Sequence, residues 1–160
     1  MSTADRTTDE GMLAHLATVD DDTWMELARR ISAVDEHNPG GWGGGEQIDT
    51  NKDGFPVIMM PYYEYSDALD QLVRSLYDFE IMSTFDWTIW TERTRWGHSE
   101  TPIAERPVLD LVKYITAVVR CDRFSEGLLG RSIREGRFLQ SLQALVTHYH
   151  PTAFAQLGDR

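Results

Sequence analysis

Between Pro107 and Val119 the residues Val108, Leu111, Val112, Ile115, Val118 and Val119 recur at the spacing of one α-helical face. A stripe this wide is satisfied only inside a packed body, so the chain must bring other apolar helical faces against it. Three further segments offer such faces. Trp24, Leu27, Ala28, Ile31 and Val34 follow the cap candidates Asp21, Asp22 and Thr23. Ala68, Leu69, Leu72, Val73, Leu76 and Tyr77 follow the cap candidate Ser66, and Phe138, Leu142, Leu145, Val146 and Tyr149 run up to Pro151. Pro107 suits the first turn of the long central helix. Shorter helices are expected from Asp9 to Val19, and from a Ser125 cap to a stop near Gly136. The fold class is therefore mainly α, a single compact helical domain.

One stretch breaks the helical pattern. In DEHNPGGWGGGE, Pro39 and five glycines oppose any regular element, and the segment reads as a flexible loop carrying Trp42. EQIDTNKDGFPVIMM then sets a polar turn between Ile48 and the run Val57 to Met60, which gives a small β-hairpin or strand element near residues 46–60. Asp49, Asn51, Asp53 and Gly54 match the front half of a calcium loop. The position that should carry the closing Glu is Met60, and the expected eighth-position residue is replaced by Pro56. A turn in which Asp and Asn side chains accept from nearby backbone N–H groups is the better reading. Residues 79–106 are aromatic-rich without a sustained period and are expected to be irregular, with a short strand or helical turn around Trp87–Trp90. Phe85 and Trp87 are expected inside, and Tyr62, Trp90 and Trp96 nearer the surface.

With 160 residues, 41% of them hydrophobic, the chain suits one domain over 9–150, with a disordered N-terminus at 1–8 and a C-terminal tail at 151–160. No run of about 18 apolar residues is present, and the N-terminus lacks a signal pattern. The single cysteine, Cys121, excludes an internal disulfide, and a cytoplasmic location is expected. The net charge of −11 is uneven: residues 1–66 hold 13 Asp/Glu against 4 Lys/Arg. Direct nucleic-acid binding, which needs clustered cations, is not expected. GGWGGGE lacks the Lys-Ser/Thr of a phosphate loop, the five histidines form no ligand pattern, and no metal or cofactor is expected.

The segments PYYEYSDALDQLVRSLYD, FDW, VVRCDRFSEGLL and REGRFLQSLQAL resemble a family of small bacterial proteins classed as a domain of unknown function. The resemblance covers roughly residues 40–147 and is most specific over Arg120–Gly127. It implies one compact domain, with residues 1–20 as a variable extension, and carries no activity.

RCDRFSEG is the segment with most chemical potential. Arg120 and Arg123 could fork an anionic group, with Asp122 or Glu126 as acid or base. The preferred reading is structural: Asp122 or Ser125 caps the following helix, with the arginines bonded to carboxylates or to the last carbonyls of the preceding one. Trp42, Tyr62, Trp87 and Trp90 are the aromatic candidates for a cleft or an interface. The leading expectation is a small acidic binding protein that docks a protein partner without catalysis. A binder or enzyme for a phosphate-bearing ligand, and a nucleic-acid mimic, are the alternatives.

Overall fold

The computed structural model describes residues 6–158. The expected disorder over 1–8 falls mostly outside them. In the described part of that segment, Arg6 pairs with Glu80 at 2.9 Å and the Thr8 hydroxyl accepts from Gly11 N at 3.0 Å, which starts α1 (Asp9–Leu16).

The mainly helical expectation holds. α2 (Asp21–Ala33) begins one residue earlier than the cap candidates suggest, because Asp20 is the cap and accepts from Thr23 N at 2.7 Å. That hydrogen bonding holds the Asp20 carboxyl below its ordinary value. α3 (Asp67–Asp78) starts at Ser66, whose hydroxyl accepts from Leu69 N. Its C-terminus closes through Glu80, at φ 56°, with Ile81 N donating to Leu76 O. α4 (Glu92–Arg95) is a single turn, later in the chain than the turn expected at Trp87–Trp90. α5 (Val108–Asp122), α6 (Leu128–Arg134) and α7 (Arg137–Tyr149) follow, and then α8 (Ala153–Gly158). α8 corrects the expected tail. Pro151 does end α7, but the chain re-enters a helix that packs on α2 and α7 and buries Ala153 completely.

The four expected stripes meet in one core. Trp24, Leu27, Leu69, Leu72, Val112, Ile115, Phe138, Leu142 and Leu145 are all buried in it, and α5 lies along α7. Trp96 is also inside, against expectation, because it is sandwiched: the Tyr114 ring stacks on it at 4.5 Å and the Arg106 guanidinium lies 3.9 Å from its centroid. Its indole N–H donates to Ser141 Oγ at 3.2 Å. Phe85, Trp87 and Trp90 are only half-buried.

Two small antiparallel sheets complete the fold, one set against the helices and one projecting from them. The expected hairpin is β2 (Gln47–Thr50) with β3 (Pro56–Ile58). Asn51 Oδ1 accepts from Asp53 N and Phe55 N at 3.0 and 2.9 Å, and Asp49 Oδ1 from Thr50 N at 2.7 Å, so this is the side-chain-supported turn read from the sequence. The other sheet corrects the reading of the glycine run as a flexible loop. β1 (Gly40–Gly43) pairs with β4 (Tyr62–Tyr65) in register Gly40↔Tyr65 to Gly43↔Tyr62. Gly40 sits at φ +146°, and any Cβ there would collide with Glu64 O. Only glycine lets the two backbones pair this closely.

Candidate functional site

The β1–β4 sheet leans on the junction of α5 and α6. Asp122, the last residue of α5, makes the joint: Oδ1 accepts from Leu129 N at 2.9 Å, capping α6, and Oδ2 accepts from the Tyr65 hydroxyl. Burial, then Asp122 beside it, pushes that hydroxyl far above its ordinary value, so it stays protonated. The anticipated capping role therefore falls to Asp122. Ser125 does not cap α6, whose first turn starts from Gly127 at φ 81°.

On the same joint, Tyr63 is buried between the sheet and α6. Its hydroxyl accepts from Arg134 at 2.8 Å, Trp42 meets its ring edge-on at 5.4 Å, and its backbone N–H donates to Glu126 Oε1 at 3.5 Å. A Cβ at position 130 would lie 2.5 Å from that hydroxyl, so Gly130 is what lets α6 approach. Arg134 also donates to Gly40 O at 3.0 Å, tying α6 to β1. Neither Tyr63 nor Arg134 stands out in the sequence as more than one aromatic and one cation among several. Both act through a sheet the sequence does not announce.

The structure divides the remaining candidates. Arg123 is exposed and donates to the Tyr77 hydroxyl at 3.1 Å, while Arg120 forms no ion pair among the described residues. Among the described residues the two arginines thus bond neither to carboxylates nor to the helix-end carbonyls. Asp122 and Glu126 are engaged instead with Leu129 N, the Tyr65 hydroxyl and Tyr63 N. Trp87 stacks on Phe124 at 5.9 Å, so it borders the joint from the loop side. Trp90 lies elsewhere, against Phe85 and Trp96 at 6.0 Å each. Trp42 and Tyr62 remain exposed, at 63% and 41%.

Those two side chains open onto the most unusual surface of the molecule. From Gly45 through Tyr62 every residue is exposed. This arm carries Ile48, Phe55, Val57, Ile58, Met59 and Met60, with Phe55 at 67% and Met60 at 81% exposure. Neither face of the β2–β3 sheet is covered. With Trp42 and Tyr62 they make eight exposed large apolar side chains on the arm and at its base, a concentration of the kind that marks interaction surfaces. The rim is acidic, with Glu46, Asp49, Asp53 and Glu64 against Lys52. Among the described residues no three His, Cys, Asp or Glu side chains gather in a metal-binding group, and no helix is long and apolar enough to cross a membrane.

The model of the family of unknown function DUF6508 matches residues 19–150, and the chain belongs to that family. No curated protein and no solved structure matches it. The matched span takes in α2 through α7 and both sheets, so the arm and the joint lie within the region that defines the family.

Proposed function

We propose that the chain is a non-catalytic protein-binding module, and that it docks through the arm of residues 45–62. The observation that carries this reading is the exposure of eight large apolar side chains on and beside a sheet with no covered face. A two-stranded hairpin is marginal in water by itself, and a partner would supply the missing layer. Aromatic residues and Met, which the arm exposes at Trp42, Phe55, Met59, Met60 and Tyr62, are the types enriched at protein interfaces.

The partner that suits this surface has an apolar groove rimmed by Lys or Arg. The arm's acidic rim and the −11 charge of the chain favour a basic partner over a second acidic copy, because like charges across an interface oppose association. The joint at Asp122, Tyr65 and Tyr63 then serves as the rigid base from which the arm projects. The single reduced-type cysteine is compatible with a cytoplasmic setting, which this proposal includes.

The test uses the parent and a variant carrying Phe55→Ser, Ile58→Ser and Met60→Ser as baits for cytoplasmic proteins at about 50 and 500 mM salt. The expected result is a basic protein retained by the parent, less of it at high salt, and none by the equally stable variant. Retention of the same protein by the variant would refute docking through the arm. A parent that doubles in size with concentration, while the variant does not, would make the partner a second copy.

A further inference from the structure

A cleft of about 450 Å³ runs between α5 and α6 on a side of the joint that the arm does not use. Small side chains leave it open: Cys121, Ser125 and Ser132 line it where larger ones would fill the space. Val118 and Leu128 give it an apolar wall. At one end the Tyr114 hydroxyl and Ser132 Oγ share a hydrogen bond of 2.8 Å, beside Glu135 and Arg137. Cys121 and Ser125 line it toward the other end, where Ser125 N donates to Cys121 O at 3.0 Å.

The charges in this cleft do not cancel. Arg137 is paired with Glu135 at 3.3 Å, whereas Arg131 has no ion pair and no side-chain hydrogen bond among the described residues. Its neighbour Arg134, by contrast, is committed to Gly40 and Tyr63. The cleft is thus left with one uncompensated guanidinium in a chain whose net charge is −11. Its volume falls within the range of small-molecule sites, which combine apolar walls with a few placed polar groups.

We infer that this cleft is a binding site for a small organic monoanion with an apolar body, held by Arg131 through its charged group and by Val118 and Leu128 through its body. A guanidinium matches carboxylate, sulfonate or phosphate oxygens with paired N–H donors, so any of the three head groups meets the requirement. The site differs from the anion fork suggested by the sequence: it uses Arg131, and neither Arg120 nor Arg123 lines it. It is also independent of the arm.

The test uses 1-anilinonaphthalene-8-sulfonate, an apolar aromatic monoanion, with the full chain. The expected result is saturable binding at one site, weakened at least tenfold by Arg131→Gln and largely kept by Arg131→Lys. Saturation should slow alkylation of Cys121 by N-ethylmaleimide, since that thiol lines the cleft. The arm variant Phe55→Ser, Ile58→Ser, Met60→Ser should bind the probe as the parent does, which separates this site from the arm. Undiminished binding by Arg131→Gln, unchanged alkylation at saturation, or loss of binding in the arm variant would each overturn the inference. Because Arg131 is exposed and bonds to no other side chain among the described residues, its variants should keep the parent's melting temperature, so a loss of binding reads on the site.

Discussion

Ile115 on α5 and Ile58 on β3 are the same side chain in opposite circumstances: one is 0% exposed and the other 55%. The helical part of the chain buries most of its apolar stripes against one another, with Leu13 and Tyr77 as exceptions at its surface. The arm has comparable residues but no second layer. Its strands pair with each other, yet nothing in the described chain covers either face. The difference separates a region that holds itself together from one that, under the docking proposal, waits for a cover. Burial in the helices stabilises the fold, whereas exposure in the arm leaves apolar surface for something outside the chain.

The largest expected contrast is in stability. Ile115→Ala or Leu142→Ala should cost about 2–5 kcal/mol, because each removes fully buried methyl groups from a close-packed core. Ile58→Ser or Phe55→Ser should change stability by no more than about 0.5 kcal/mol, as for ordinary surface positions. Urea unfolding measures both, and a costly arm substitution would erase the contrast.

The joint between the regions should be intermediate. Asp122→Ala leaves Leu129 N and the Tyr65 hydroxyl without their acceptor and should cost about 1–3 kcal/mol. Arg120→Ala, with no ion pair to lose, should be nearly silent in the same unfolding experiment.

The joint should also be sensitive to alkali. The Tyr65 hydroxyl is held neutral in the folded chain, while the unfolded chain releases that proton above the ordinary value of 10.0. Its contribution is therefore complete below pH 10 and is lost as pH rises beyond it toward the folded value. Tyr65→Phe should flatten the alkaline fall in stability, even though it is less stable at neutral pH. Tyr114 and Tyr149, both shifted upward by burial, should leave a residual slope. Stability measured from pH 8 to 11 checks the sign. A steeper fall in the variant would count against this role for the joint.

The smallest effect concerns the turn of the arm. Asn51 Oδ1 already accepts two backbone N–H groups, and Met60 occupies the place of a closing carboxylate. Millimolar calcium should leave the melting temperature unchanged. A rise of several degrees that Asp49→Ala removes would turn the arm into a metal-dependent element.

The helical half of this comparison is legible in the sequence, because the period of a helix is a local property. Leu69, Leu72 and Leu76 announce their shared face without reference to anything else. The capping role of Asp122 is legible too, as one of two options at a helix junction. The β1–β4 sheet is not. Glycines have no side chain to show alternation, and Gly40 meets Tyr65 only after the intervening arm has folded back. Arg134 is hidden for the same reason, since its partners are on that sheet. α8 is missed because Pro151 correctly ends one helix and says nothing about the next. Trp96 is misplaced because its cover is a tyrosine and an arginine from distant positions rather than an aliphatic stripe. The arm's residues are readable as a hairpin, but their exposure on both faces depends on the absence of a covering layer, which no local pattern records.

Amide hydrogen exchange of the dilute chain tests the contrast most directly, because it reads both regions in one sample. α5 and α7 should exchange only through global unfolding, while β2 and β3 should exchange at close to the rate of an unstructured chain. Adding the captured partner should slow exchange in the arm and leave α5 unchanged. Arm amides as strongly protected as those of α5 in the dilute, unbound chain would contradict that contrast, since the arm would then be held by the fold itself.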